Sequence, residues 1–106
     1  MKNKDIERDF LIENLKLGNI KEQGDCHINS KFIAEKLKKL GYKIKVITGI
    51  YSNPPKNRKH SWIEFEDKIL ETDCKQLREL GDIMPNEFCA VLDKTKFKHR
   101  YKELTL

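Results

Sequence analysis

Three residues of this chain have the types and the order that acyl transfer requires. Cys26 stands where a helix is predicted to begin, His60 opens the segment "HSWIEF", and Asp73 closes the segment "ILETD". A cysteine attacks as its thiolate, and the unpaired N–H groups at a helix N-terminus favour that form. The thiol also needs a base to take its proton and a group that orients the base. The hypothesis is therefore a nucleophile, a general base and an orienting carboxylate.

Of the three histidines, His60 fits the role of base best. His27 adjoins Cys26 in the predicted helix, so its side chain points about 100° away from that of the cysteine. His99 lies in the basic C-terminal tail. His60 begins a predicted strand directly after a polar loop, where a side chain can be both fixed and exposed.

Each of these residues also has an ordinary structural explanation. A cysteine at a helix start often only packs, as small apolar residues do. Asp73 could be a turn residue at a strand end, and Trp62 could be a packing residue. The residue types alone leave both interpretations open, so the elements that position these side chains have to be considered.

Two amphipathic helices are predicted in the first 41 residues. The first covers residues 4–17, and the second begins at an N-cap at Asp25 and ends at Gly41. Their apolar stripes are Ile6, Phe10, Leu11, Leu15 and Leu17 in the first, and Ile28, Phe32, Ile33, Leu37 and Leu40 in the second.

The rest of the chain has the pattern of strands. Strands are predicted over 42–51, 60–66, 69–73 and 88–93, with the polar loop "SNPPKNRK" after the first and a short helix in "CKQLREL". The tail over 94–102 alternates as a strand with one wholly basic face, which comprises Lys94, Lys96, Lys98, Arg100 and Lys102. This order predicts an α+β fold in which two N-terminal helices pack on a mostly antiparallel sheet.

The predicted hairpin brings His60 and Asp73 to one face of the sheet. With Asp67 and Lys68 as a two-residue turn, Asp73 lies opposite Trp62 and diagonally across from His60. Diagonal neighbours have Cα atoms roughly 7–8 Å apart, which a histidine and a carboxylate can bridge. A slip of one residue would move the two side chains to opposite faces.

Composition and charge limit the classes of protein that the chain can belong to. Its 106 residues predict one domain over 1–106, and no apolar run approaches the roughly 18 residues of a membrane span. The start of the chain lacks the apolar core of a secretory signal, so we expect a cytoplasmic protein whose three cysteines are free thiols. The net charge of +5 permits an acidic partner at the basic tail and loop.

Residues 24–73 together resemble the core of the transglutaminase-like superfamily of papain-like Cys-His-Asp enzymes. The shared pattern is a cysteine that starts a helix, a strand with His, a small residue and Trp, and an Asp at the end of the next strand. Among its members, the small bacterial proteins that cleave leader peptides in lasso-peptide maturation are the most similar in compactness. The resemblance implies a papain-like core around Cys26, His60 and Asp73.

The resemblance also implies an activity. It is that of a cysteine peptidase or amide hydrolase acting on a peptide or protein through a thioester, with transamidation and deamidation as variants of the same step. No metal or cofactor is required. The oxyanion would be held by the backbone N–H of Cys26 and by Gln23, and Trp62 would form a wall of the site.

Three other interpretations remain beside this one. The same fold could serve as a non-catalytic binding module. The basic tail, with the loop "KNRKH", could bind nucleic acid. A metal site is disfavoured, because its candidate ligands are adjacent pairs whose side chains diverge, without the spacing that zinc sites use.

Overall fold

A five-stranded sheet forms the centre of the protein. Of the described helices, two precede its first strand and two short ones lie between its later strands. The computed structural model describes residues 3–18, 26–84 and 89–104. The helices are α1 (Asn3–Gly18), α2 (Cys26–Lys39), α3 (Cys74–Glu79) and α4 (Lys94–Phe97). The strands are β1 (Lys45–Asn53), β2 (Lys56–Phe65), β3 (Lys68–Glu71), β4 (Ala90–Asp93) and β5 (Tyr101–Glu103).

All neighbouring strands are antiparallel, in the order β4-β3-β2-β1-β5. The prediction of an α+β fold with two N-terminal helices on an antiparallel sheet is thereby confirmed. β1 and β2 are the long central strands and pair along their length, whereas β3, β4 and β5 are short. β1 and β2 therefore form the centre of the sheet, and the shorter strands flank this pair.

Side chains alternate between the two faces of each strand, so the sheet has an apolar cluster on either side. One cluster joins α1 and α2 to the sheet through residues such as Phe10, Ile33 and Ile63. The other contains Trp62 and residues of α3 such as Leu77. The central strand β2 is thus buried on both faces along its second half.

The buried stripe of α2 differs from the predicted one. Ile28, Phe32 and Leu40 are exposed, with Ile28 at 64%. Ile33 and Leu37 are buried as predicted. The prediction was wrong for the other three because small and polar residues, which hydropathy does not mark as core, fill the rest of the helix face against the sheet. The buried residues of α2 are Cys26, Asn29, Ser30, Ile33, Ala34 and Leu37.

The stripe of α1 needs a smaller correction. Leu11 and Leu15 are exposed, while the predicted core residues Ile6, Phe10 and Leu17 are buried. The predicted cap of α2 at Asp25 lies outside the described residues.

The segment predicted as a polar loop is mostly strand. β1 continues to Asn53 and β2 begins at Lys56, with Asn53 paired to Lys56, so only Pro54 and Pro55 form the turn. The prolines do not interrupt the sheet because they lie at the turn itself. The exposed start of β2 is therefore a regular strand that leads directly to His60.

The tail is not the basic strand that its alternation predicts. Residues 94–97 form α4, and only Tyr101–Glu103 pair with β1. The Asp93 side chain accepts a hydrogen bond from the Thr95 amide at 2.9 Å and so caps α4. The cations consequently point in different directions, and the single basic face does not form.

None of the described helices combines the length and the apolar character needed to cross a membrane.

Candidate active site

Glu71, at the end of β3, is the buried carboxylate beside His60. Its Oε1 accepts hydrogen bonds from His60 Nε2 at 2.7 Å and from the Tyr101 hydroxyl at 2.7 Å. Its Oε2 accepts a hydrogen bond from the Asp73 amide at 2.9 Å. Both His60 and Glu71 are fully buried. Three donors thus compensate a buried charge that would otherwise be costly.

The hairpin register explains why Glu71, and not Asp73, contacts His60. The turn lies at Glu66 and Asp67, one residue earlier than predicted, and Phe65 pairs with Lys68. Moving the turn by one residue shifts the pairing by two positions. Side chains alternate between the two faces of the sheet with a period of two residues, so a shift of two positions does not change the face. Glu71 therefore takes the position opposite Trp62 that was predicted for Asp73.

The predicted pairing of His60 with Asp73 is therefore corrected. The Asp73 side chain accepts a hydrogen bond from the Gln76 amide at 3.2 Å and is the N-cap of α3. The sequence shows two acidic residues in "ETD". The choice between them depended on the position of the turn.

Tertiary contacts fix that turn. The Asp67 carbonyl accepts a hydrogen bond from the Lys94 amide at 2.8 Å, and Lys68 pairs with Asp93 of β4. Lys68 is thus held inside the sheet between two strands and is not free to form part of the turn. Glu66 takes the positive φ of 53° that the turn requires.

Cys26 reaches His60 because β3 ends early. β3 pairs with β2 only at residues 63–65, which leaves the backbone at Ser61 without a partner from that strand. Ser30 of α2 fills this gap, since its hydroxyl donates to the Ser61 carbonyl at 3.3 Å. Cys26 lies one turn earlier on the same helix face, close enough to His60 to help raise the pKa of its imidazole.

The protonation of His60 is governed by this pair of neighbours. Burial lowers the pKa of His60, but the charge of Glu71, the neighbouring Cys26 and the hydrogen bond to Glu71 together raise it to about 10. Nε2 is occupied by Glu71, so Nδ1 is the ring nitrogen left for the thiol. Nδ1 makes no hydrogen bond among the described residues, which leaves it available to the thiol.

Aromatic rings surround the imidazole of His60. Trp62 stacks on it with centroids 6.2 Å apart and planes 23° apart. Tyr51 contacts it edge-on at 6.0 Å, and Tyr101 is tilted against it at 6.3 Å. Trp62 is thus in contact with His60, and the three rings restrict the orientation of the imidazole.

The other two cysteines have a different environment from Cys26. Burial raises the pKa of the Cys74 thiol well above its usual range, and burial and the charge of Glu71 raise the pKa of Cys89 to about 11. All three thiols are free. A neutral thiol is a poor nucleophile, so Cys74 and Cys89 are suited to packing.

The remaining candidates of the sequence lie apart from the His60 contacts or outside the described residues. Gln23 lies outside the described residues. His27 makes a hydrogen bond through Nδ1 with the Ser61 hydroxyl, which also contacts Thr48 at 2.9 Å. Within the part of the chain that the structure describes, no three acidic, histidine or cysteine side chains form a group able to hold a metal ion.

The buried imidazolium makes the stability of the protein depend on pH. The folded pKa of His60, about 10, lies above its ordinary value of 6.5, so the folded state keeps a proton that the unfolded state releases. The stabilisation is complete below about pH 6.5 and is lost as the pH rises through about 10. We expect the free energy of unfolding to fall as the pH rises through this window.

Urea unfolding at several pH values, compared with the His60→Gln variant, measures this slope. The variant lacks the titrating group and should show a flatter profile over the same window. Parallel profiles for the two proteins would mean that His60 is neutral in the folded state.

Comparison with protein-family models, with curated proteins and with solved structures finds no match to this chain.

Proposed function

We propose that this protein is a cysteine-dependent acyl-transfer enzyme, acting as a peptidase or amide hydrolase on a peptide or protein. Cys26 is the nucleophile, His60 the general base and acid, and Glu71 the orienting carboxylate. The observation that carries the proposal is the placement of one buried imidazole between a helix-start cysteine and a fully hydrogen-bonded carboxylate. The resemblance of residues 24–73 to transglutaminase-like enzymes supports the roles of Cys26 and His60 on a papain-like core, whereas its orienting carboxylate was Asp73.

In the resting site the proton of the Cys26 thiol already lies on His60 Nδ1, so the nucleophile is a thiolate beside an imidazolium. Glu71 holds the Nε2–H at 2.7 Å, which fixes the ring and compensates the positive charge of the imidazolium. The sulfur then attacks the carbonyl carbon of the substrate and the carbonyl oxygen becomes an oxyanion. Cys26 is the first residue of α2, so its backbone N–H has no partner within the helix and is a suitable oxyanion donor.

In the second step His60 gives its proton to the leaving amine, the carbon–nitrogen bond breaks, and a thioester remains on Cys26. Water then attacks the thioester while His60 accepts one of its protons. The carbon–sulfur bond breaks, the acid is released, and the thiolate of Cys26 again pairs with the protonated His60. An amine in place of water would give transamidation by the same route.

The second carboxylate oxygen of Glu71 is held by the backbone, which distinguishes this site from an accidental buried pair. The Asp73 amide and the Tyr101 hydroxyl fix the carboxylate independently of His60. A preorganised orienter of this kind keeps the ring in place when its charge changes during the reaction.

Nucleic-acid binding is less well supported than acyl transfer. It relied on a continuous basic face in the tail, but Lys94 pairs with Glu64 at 2.8 Å and Arg100 pairs with Asp82 at 3.0 Å.

We assign the activity to the cytoplasm, because a free thiol nucleophile persists in reducing surroundings.

Acylation by p-nitrophenyl acetate tests the proposal. We expect an acetyl thioester on Cys26, located by peptide mass spectrometry and removed by neutral hydroxylamine, and continued release of nitrophenol as the thioester is hydrolysed. The Cys26→Ala and His60→Gln variants should give no such adduct. Acetylation that is unchanged in Cys26→Ala would contradict the proposal.

A further inference from the structure

β2 has an open edge immediately before His60. β1 pairs with β2 from Lys56 to Glu64, but β3 pairs with it only from Ile63 to Phe65. Among the described strands, the first half of β2 therefore has a neighbour on one side only. The position that β3 would occupy if it continued beyond Glu71 is not filled by a strand of the described chain.

The backbone groups of Asn57 and Lys59 point toward this open edge. The Ser61 carbonyl is bonded by Ser30 on the side away from β1, and N–H and C=O directions repeat every second residue along a strand. The opposite residues on β1 agree with this assignment. The Ser52 amide donates a hydrogen bond to the Arg100 carbonyl on the side of β1 that lies away from β2. The backbone N–H and C=O groups of Ser52 and of its pairing partner Asn57 therefore point away from each other.

These backbone groups are unpaired within the part of the chain that the structure describes. No backbone hydrogen bond joins Asn57 or Lys59 to any described segment on the β3 side. Lys56, Asn57, Arg58 and Lys59 are all exposed, whereas His60 is buried. The open edge thus begins at the surface and ends at the candidate active site.

The same edge is strongly positive. Lys56, Arg58 and Lys59 are three cations in four successive residues, and among the described side chains only Arg58 has an anionic neighbour, the exposed Glu79 at 3.7 Å. Ion pairs between exposed side chains are weak, so an incoming carboxylate can replace this one. Charge complementarity therefore favours an acidic occupant.

We propose that an extended peptide with acidic side chains adds to β2 as a strand at Asn57 and Lys59. Its main chain pairs with the free N–H and C=O groups of these residues, and its carboxylates meet the cations beside them. The peptide lies where β3 would continue beyond Glu71. In this position its acyl group is directed to Cys26. This inference rests on the proposed function, for which it supplies the substrate class.

A proline at position 59 tests the main-chain pairing. Proline has no N–H and is tolerated where the N–H of a strand faces solvent, so Lys59→Pro should fold and block the edge. Lys59→Gln is the matched control, because it removes the same charge and keeps the N–H. Both changes are made in the Cys26→Ala chain, so that binding is measured without chemistry.

The probe is a fluorescein-labelled acetylated peptide of alternating glutamate and valine, followed by fluorescence anisotropy. We expect Lys59→Gln to weaken binding roughly threefold and Lys59→Pro at least about tenfold. The corresponding lysine–valine peptide should bind at least about tenfold more weakly. A peptide with N-methylated valines should also lose about tenfold, which tests the pairing without any change to the protein.

Equal binding by the proline and glutamine variants, together with equal binding of the N-methylated peptide, would overturn the inference. So would binding of a single-stranded oligothymidylate in the absence of peptide binding. Iodoacetamide labelling of Cys26 and peptide binding, both measured on the chain without a change at position 59, separate the two proposals. Selective labelling without peptide binding rejects only the substrate class, whereas unselective labelling of the unmodified chain rejects the catalytic site.

Discussion

Replacing Glu71 by glutamine should slow the alkylation of Cys26 at least about tenfold and lower the free energy of unfolding by about 3 kcal/mol. The carboxylate is the counter-charge of His60 and the acceptor of three hydrogen bonds. A neutral amide leaves the buried imidazolium uncompensated, so the ring loses its proton and no longer supports a thiolate. Iodoacetamide kinetics and urea unfolding measure the two effects.

Asp73→Asn is the matched control for this prediction. Asp73 lies two residues from Glu71 and caps α3, and asparagine is nearly as good an N-cap as aspartate. Its alkylation rate and stability should therefore stay close to those of the unmodified protein. If Asp73→Asn slowed alkylation and Glu71→Gln did not, the assignment of the orienting carboxylate would be reversed.

Gly49→Ala should destabilise the protein by about 3 kcal/mol, because the new methyl group has no space. A Cβ at this position would lie 2.2 Å from the Lys102 carbonyl oxygen and 2.8 Å from Trp62 Cη2. β5 would have to move away from β1, and Tyr101, which donates to Glu71, would move with it. We therefore expect slower alkylation of Cys26 as well as a lower free energy of unfolding.

Gly41→Ala separates this clash from the general effect of losing a glycine. Gly41 has a positive φ of 100°, but no atom lies within 4 Å of the point that a Cβ would occupy there. Its replacement should therefore cost only about 1 kcal/mol through backbone strain, and the alkylation rate should not change. Equal destabilisation by the two variants would show that β5 is not packed closely against Gly49.

The sequence was sufficient to predict the class of fold and most of the candidate site. The strand alternation and the turn residues indicated the antiparallel sheet, and the order of residues indicated Cys26 and His60. The carboxylate was missed by two positions because the turn is fixed by contacts of Asp67 and Lys68 with β4 and α4. Such contacts join segments that are distant in the chain, and local turn preferences do not contain them.

Two other differences have the same kind of cause. The buried face of α2 is set by Ser30, which replaces a missing strand partner at Ser61, so polarity misled the prediction of its core stripe. The tail alternates like a strand, but the cap at Asp93 starts a helix there instead. In each case a specific hydrogen bond outweighed the apolar pattern.

The most direct test of the proposed site is the reactivity of the three cysteines toward iodoacetamide near about pH 6, where an unperturbed thiol is almost fully protonated. The site predicts rapid labelling of Cys26 alone, with Cys74 and Cys89 unmodified on the same timescale because burial raises their pKa values. His60→Gln should abolish the rapid phase. Slow and equal labelling of all three thiols, unchanged in His60→Gln, would contradict a thiolate–imidazolium pair at Cys26 and His60.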